Sequence, residues 1–447
     1  MEIEHEFVQQ VADELQRHPD VHDWSIRFAT DHSQQLFATN QHIDERREVN
    51  IQKLTANIFH DLPQENGGTQ LRGSASFTLV PSPTAHADAQ RMLEQSLVMA
   101  KAVGNPYYTL PLPPAQGYPT VESSDKEILE HAQESLEELI ATITDTVSKE
   151  PQIIASSTEL FATTSTIHFQ NSRGINATTQ KTSSMLEVIL ISSDGTNQAE
   201  HQILTSRCRI SDLHIAELTR RNAQFARDSL KVSTPKTHKG PVIITGEALV
   251  DLFSPLIYHS SAKTVYRSLS RLRIGEPIAT TASPANGTAL TLSSSRTLPF
   301  GDETLAFDSE GIPAMDTEII RDGVMQQYWA NQRYAQYLGI PVTGDFGNII
   351  MAAGKQPYEA FQSEDPAYEI VAFSWMNPDS QTGDFVAEIK LGYIHSHGSK
   401  LPIKGGSLSG NVFSAFGNFS ASSATQFTGR FSGPLALRFE DLTISGE

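Results

Sequence analysis

The sequence of 447 residues has only one cysteine, Cys208. A single cysteine excludes an intramolecular disulfide, and it excludes any zinc site that needs a pair of cysteine ligands. No cysteine-based catalytic motif surrounds Cys208. We therefore expect its thiol to be a small buried group and not a nucleophile.

The sequence also lacks long apolar runs and basic segments. No stretch approaches the roughly 20 apolar residues needed to cross a bilayer, and residues 1–16 lack the basic and apolar regions of a signal peptide. The 33 basic and 52 acidic residues give a net charge of -19 at pH 7. Because duplex nucleic acid is bound mainly through lysine and arginine, we expect no nucleic-acid partner, no membrane association and a cytoplasmic protein.

Charged residues are scarce, at 19% of the chain, so the polar surface must come largely from Ser, Thr, Asn and Gln, which suits β-structure. Trp24, Ile26 and Phe28 alternate with polar neighbours and predict a strand. The first half contains separate runs of strands and helices, and the second half contains many short β-like runs. We predict an α+β fold of two domains. These are an N-terminal α+β domain (1–230), a linker (231–240) and a β-rich C-terminal domain (241–447).

Two further segments of the first half have clear local signals. Ser124 and Glu127 have the spacing of a capping box and predict the start of a helix, whose apolar stripe extends to Ile143. The segment 106–121 is rich in proline and tyrosine. We expect it to be an extended connection with little regular structure.

Sequence motifs for metal or phosphate binding are missing. The chain has no H-E-x-x-H, no H-E-x-x-x-H and no G-x-x-x-x-G-K-[ST] motif. The only clustered histidines are His395 and His397. Alternate residues of a strand share a face, so this pair could bind a metal weakly, but it has no third ligand nearby and we predict no metal site. The glycine-rich run from Gly405 to Gly410 predicts a tight bend or a close approach of another chain.

Six phrases of the second half occur in a characteristic order, and looser matches in the first half extend the pattern over most of the chain. The phrases are Asp308–Pro313, Ile319–Val324, Gly383–Phe385, Gly392–Ile394, Lys404–Asn411 and Gly433–Arg438. In this order they resemble the TldD/PmbA family, also called the modulator of DNA gyrase proteins. The resemblance implies the two-domain fold of that family.

The family has two branches, which differ in their metal ligands. TldD-like members carry H-E-x-x-x-H on a helix early in the C-terminal domain and a late cysteine ligand, whereas TldE-like (PmbA-like) members keep the fold without the metal. The equivalent segment here, Leu256–Arg267, contains one histidine, His259, with no glutamate and no second histidine. The chain therefore resembles the metal-free TldE branch, which implies no cofactor in this chain and zinc in its partner.

The resemblance implies a heterodimer with a TldD-like, zinc-bearing subunit that acts on unfolded or precursor peptides. This chain would contribute no catalytic residue and would complete a shared cavity. An extended peptide can add to an exposed sheet edge, and an open Gly/Ser-rich strand from Gly405 to Asn411 would allow its approach. The alternative is that this segment is only a tight turn. The predicted peptide-binding residues are Gly405, Gly406, Ser407, Leu408, Ser409, Gly410 and Asn411.

Two other functions remain open. The chain could be a divergent stand-alone enzyme that processes or modifies peptides, for example in natural-product maturation. Its acid–base groups would then come from His259, His395, His397, Asp308 and Glu310. A gyrase-binding regulator follows only from the older family name, and it would have to act through protein–protein contact.

Overall fold

The structure is a computed structural model that describes residues 2–63, 68–82, 85–279 and 287–447. Its first half alternates between long strands and helices, with a short 3-10 helix at Ile210–Leu213. The elements in chain order are α1 (Glu2–Arg17), β1 (Asp23–Thr39), β2 (His42–Leu62), β3 (Leu71–Leu79), α2 (Ala85–Ala102), β4 (Asn105–Pro106), α3 (Lys126–Ser148), β5 (Ile153–Asn171), β6 (Asn176–Ser193), β7 (Gln198–Arg207) and α4 (Ile215–Asp228).

The strands of the first half form one antiparallel sheet in the order β4-β3-β2-β1-β5-β6-β7. Alternate residues of β1, among them Trp24, Ile26 and Phe28, are buried against helices α1 and α2, as the period of two predicts. Farther along the same strand, Leu36 and Ala38 pack with α3 and α4. The helices therefore cover one face of the sheet in two neighbouring cores.

Helix α3 confirms the predicted apolar stripe but begins differently from the prediction. Its N-cap is Asp125, whose carboxylate accepts the N–H group of Glu127 at 3.2 Å. The hydroxyl of Ser124 instead donates to the carbonyl of Gln180. The predicted capping box is therefore wrong by one residue, because a neighbouring strand binds the serine.

One buried ion cluster ties three strands of the sheet together. The side chain of Arg72 on β3 is 1% exposed, and its guanidinium lies 2.8 Å from Asp23 on β1 and 2.5 Å from Asp61 on β2. Its Nη1 also donates to the carbonyl of Tyr108, at 3.0 Å. These partners compensate the cost of burying the charge, and the guanidinium links three strands of the sheet to the proline-rich segment.

The second half is richer in strands and has a 3-10 helix at Gly246–Phe253. Its elements are β8 (His238–Thr245), α5 (Ser254–His259), α6 (Ala262–Tyr266), β9 (Leu292–Ser295), β10 (Asp316–Arg321), β11 (Val324–Met325), α7 (Gln332–Leu338), β12 (Asn348–Met351), α8 (Tyr358–Gln362), β13 (Ala367–Met376), β14 (Asp384–Ser396), β15 (Ser399–Ile403), β16 (Ser407–Asn411), α9 (Val412–Gly417), β17 (Phe419–Ala421), β18 (Thr425–Phe427), β19 (Phe431–Pro434) and β20 (Ala436–Ser445).

These strands form two sheets around one apolar core. One sheet has the order β11-β10-β9-β12-β19-β18, and the other has the order β13-β8-β20-β16-β14-β15 with β17 beside β20. Strand β13 also pairs with β14, so the second sheet closes on itself. The core contains residues of both sheets, such as Val242 and Ile349, and Phe253 of the 3-10 helix. The predicted α+β fold class is therefore confirmed.

The remaining predictions about the fold have different outcomes. The division at 231–240 stays a prediction; within this segment β8 already begins at His238, and Ser233 exchanges backbone hydrogen bonds with Pro402 and Lys404. Cys208 is buried, as predicted, and its thiol donates to the carbonyl of Ser123. None of the helices in the described part of the chain is long and apolar enough to cross a membrane.

Candidate functional site

The segment Leu256–Arg267, which the resemblance equates with a zinc-binding helix, folds as two short helices, α5 and α6. His259 ends α5 and is 1% exposed. The backbone N–H of Arg271 donates to its Nδ1 at 3.1 Å, so Nε2 must carry the ring proton and donate to the carbonyl of Gln381, 2.9 Å away. Burial lowers the pKa of His259. The imidazole is therefore neutral, and both of its nitrogens are bound to backbone groups.

This arrangement does not fit a zinc ion. A zinc hydrolase needs about three protein ligands and an open position, whereas Leu256–Arg267 supplies one histidine whose two ring nitrogens are occupied. Across the described residues, no group of three or more His, Cys, Asp or Glu side chains is placed to hold a metal ion. The side chain of His259 instead links the end of α5 to two loops.

The predicted peptide-binding run from Gly405 to Asn411 lies inside the closed sheet. Ser407–Ser409 pair with β14 on one side and with β20 on the other. Gly406 has a φ of +66°, and a Cβ atom there would lie 2.4 Å from the carbonyl oxygen of Ser445, which explains the need for glycine. A peptide could add to Ser407–Ser409 only by competing with an existing strand ladder. Peptide binding by the run stays a prediction.

Asp308–Pro313 forms a tight loop where the two halves of the chain meet. Oδ1 of Asp308 accepts the N–H groups of Glu310 and Ile312 at 2.9 and 2.8 Å, and Oδ2 accepts the N–H of Asp345 at 3.0 Å. Gly311 has a φ of +85°, and its carbonyl accepts a hydrogen bond from Tyr118 of the proline-rich segment. Hydrogen bonds to one carboxylate therefore shape this loop and hold it in place.

Glu310 is a second perturbed acid of this loop, beside Asp308. The N–H of Gln332, at the start of α7, donates to its Oε2 at 2.7 Å. Burial, aided by repulsion from Asp308, raises the pKa of Glu310 to about 8. Its carboxyl group is therefore mostly protonated at neutral pH, a property that is common in functional sites.

His395 and His397 bind two different acidic side chains. His395 Nε2 lies 2.7 Å from Oε2 of the buried Glu369, whereas His397 Nδ1 lies 2.8 Å from Oδ2 of Asp365. His397 has a φ of +49° and follows the last residue of β14, so the rule that alternate strand residues share a face does not apply to it. The geometric premise for a shared weak site, two histidines on one face of a strand, therefore does not hold.

Hydrogen bonds among the described residues do not bring the candidate acid–base groups together at one site. Asp308 and Glu310 share a loop, but His259, His395 and His397 each bind a different backbone or acidic group. Arg296, whose guanidinium lies 3.7 Å from the carboxylate of Asp308, was not among the predicted site residues. No local motif marks this arginine, and only the fold brings it to the loop.

Comparisons with known proteins agree with this fold. Residues 237–446 match the family described as PmbA/TldA metallopeptidase C-terminal domain. The structure of TldE from Thermococcus kodakarensis has a TM-score of 0.79, with 16% identity, over 98% of this chain and 100% of that one; at this identity the likeness shows the fold.

Two curated relatives extend the comparison. An uncharacterized protein of Methanocaldococcus jannaschii is 27% identical over 306 residues, which cover 65% of this chain and 70% of the relative. The metalloprotease PmbA of Escherichia coli O157:H7 is 28% identical over 186 residues, which cover 40% of this chain and 39% of the relative. The predicted resemblance to the TldD/PmbA family is confirmed, and the C-terminal half is a PmbA/TldD-type domain.

Proposed function

We propose that this chain is a TldE-like, non-catalytic subunit of a heterodimeric zinc metallopeptidase that acts on unfolded or precursor peptides in the cytoplasm. A TldD-like partner would hold the zinc ion, and this chain would complete the cavity that receives the peptide. The family relation supports this assignment. It also agrees with the relative named metalloprotease PmbA.

The hydrogen bonding of His259 is the observation that carries the proposal. In a zinc-bearing subunit, the histidines of the equivalent helix must leave one nitrogen free for the metal. Here Nδ1 accepts from Arg271 and Nε2 donates to Gln381. The segment that would bind zinc in the other branch thus stabilises loops in this one, and the metal chemistry is assigned to the partner.

Co-purification with a TldD-like, H-E-x-x-x-H homologue from the same genome tests the proposal. We expect the isolated chain to contain no stoichiometric zinc and to cleave no peptide. The mixture should give a one-to-one complex by native mass spectrometry and should cleave unfolded peptides. A partner whose H-E-x-x-x-H glutamate is changed to glutamine is the control and should form the complex without cleavage. About one zinc per isolated chain would refute the proposal.

A second candidate is a peptide-processing enzyme that acts without a partner. The raised pKa of Glu310 favours it, because a carboxyl group that is protonated at neutral pH can act as a general acid. If the isolated chain cleaves or modifies a peptide, Glu310→Gln should lower kcat at least about 100-fold. Equal rates for Glu310→Gln and the wild type would remove this candidate.

A further inference from the structure

A cavity of about 170 Å³ lies between the two halves of the chain. Arg27 and Ile167 line it from the sheet of the first half, and Arg296, Phe307 and Asp308 line it from the second half. This volume is smaller than the roughly 300 Å³ or more of pockets for drug-sized ligands. The cavity therefore suits a small group, such as the end of a chain.

Arg296 contributes a buried positive charge that lacks adequate partners. The residue is 4% exposed, and its Nε has no hydrogen-bond partner among the described residues. Nη1 lies 3.7 Å from Oδ2 of Asp308, which is beyond hydrogen-bond length. A buried donor without a partner is costly, so an acceptor that entered the cavity would be stabilised there.

The carboxylate of Asp308 is only a partial acceptor for Arg296, because it already accepts hydrogen bonds from the backbone. Its two carboxylate oxygens accept three backbone N–H groups. Burial and repulsion from Asp345 raise the pKa of Asp308. The guanidinium of Arg296 therefore retains donors for another oxyanion.

Arg27 adds a second guanidinium to the same cavity. It is half-buried on β1 and has neither a hydrogen bond nor an ion pair with a side chain in the described ranges. Burial lowers its pKa, and the charge of Asp31 partly opposes this. Two arginines that approach one small cavity from opposite halves provide the donors for an oxyanion.

The remaining lining distinguishes between kinds of oxyanion. Asp345 and Glu303 also line the cavity, and their negative charges would repel a phosphate dianion more strongly than a carboxylate monoanion. Leu305, Phe307 and Phe346 provide apolar walls. The lining therefore suits a carboxylate that is attached to an apolar group.

We propose that this cavity binds the carboxylate of a small apolar acid through Arg27 and Arg296. If the proposed peptide-processing function holds, the natural ligand is the C-terminal residue of a peptide. Only this identification of the ligand, and not the binding itself, rests on the proposed function. Binding itself requires no partner subunit. It can therefore be tested on the isolated full-length chain.

Calorimetric titration with N-acetyl-leucine and N-acetyl-leucinamide tests the proposal, because the two probes differ only in the carboxylate. The acid is expected to bind at least about tenfold more tightly than the amide, and inorganic phosphate more weakly than the acid. A peptide ending in leucine should show the same preference for its free acid over its C-terminal amide. Equal binding of acid and amide, no binding of the acid, or tighter binding of phosphate would overturn the proposal.

Three variants identify the groups responsible. Arg27→Gln should weaken binding of the acid about tenfold, and Arg296→Lys should also weaken it because lysine cannot form the paired hydrogen bonds. The exposed Arg47, changed to glutamine, is the matched control and should bind as the wild type does. Unchanged affinity in Arg27→Gln would overturn the assignment, even if Arg296→Lys fails to fold.

The proposed function can fail independently of this site. Loss of peptide cleavage by the complex with normal binding of N-acetyl-leucine would reject the metallopeptidase assignment and leave the carboxylate site in place. Cleavage by the complex without binding of the acid would reject the site alone.

Discussion

Replacing Glu310 with glutamine tests whether the loop Asp308–Pro313 holds a neutral carboxyl group at neutral pH. Glutamine has nearly the same shape, and its amide oxygen can still accept the N–H of Gln332. Unlike glutamate, it never becomes charged. The variant therefore isolates the free energy of ionising one side chain in this loop.

The expected effect follows from the raised pKa of Glu310. This pKa is about 8 in the folded protein, compared with an ordinary value of 4.5. Between these values the folded state binds a proton that the unfolded state has released, so the stability of the wild type falls as pH rises through this window. The window spans about 3.5 pH units, so at about 1.4 kcal/mol per pH unit the wild type should lose on the order of 5 kcal/mol relative to Glu310→Gln across it.

Urea unfolding at pH 5, 7 and 9 measures this difference. The two proteins should have similar midpoints at pH 5, and the variant should unfold at a clearly higher urea concentration than the wild type at pH 9. Glu388→Gln, which changes an exposed carboxylate of β14, is the control and should follow the wild type at each pH. A constant difference between Glu310→Gln and the wild type from pH 5 to pH 9 would refute the reasoning.

Two further substitutions test packing at buried positions. Arg72→Met should lower the free energy of unfolding by about 3–5 kcal/mol, because two buried aspartates lose their partner. Arg47→Met, at an exposed ion pair, should lower the free energy of unfolding by less than about 1 kcal/mol. Equal midpoints of urea unfolding for Arg72→Met and Arg47→Met would contradict this prediction. Gly311→Ala should shift Tm downward more than Gly323→Ala. Both glycines have positive φ, but a Cβ would meet an aromatic ring 2.7 Å away only at Gly311.

Local signals in the sequence predicted the fold class well, because they reflect burial along one element. The alternation of Trp24, Ile26 and Phe28 follows from one covered face of β1. The stripe of α3 likewise follows from its packing on the sheet. The cap of α3 was misplaced because Ser124 bonds to Gln180, which is 56 positions away in the chain, and no local pattern contains that contact.

The candidate site was harder to predict, because its groups come from distant parts of the chain. The roles of Arg27 and Arg296 depend on how the two halves meet around one cavity. The state of Glu310 depends on its burial beside Asp308. His397, which the sequence pattern paired with His395, lies beyond the end of β14. Residue type and spacing do not specify burial or partners of this kind.

His259 shows how a chain can keep the family fold without zinc ligands. The N–H of Arg271 and the carbonyl of Gln381 lie in loops outside the strands and need partners. A neutral imidazole offers one acceptor and one donor, so a single ring satisfies both groups. A metal ion at Nε2 would displace the bond to Gln381. The same ring cannot hold that loop and a zinc ion together, which is why the proposed function assigns the metal to a second subunit.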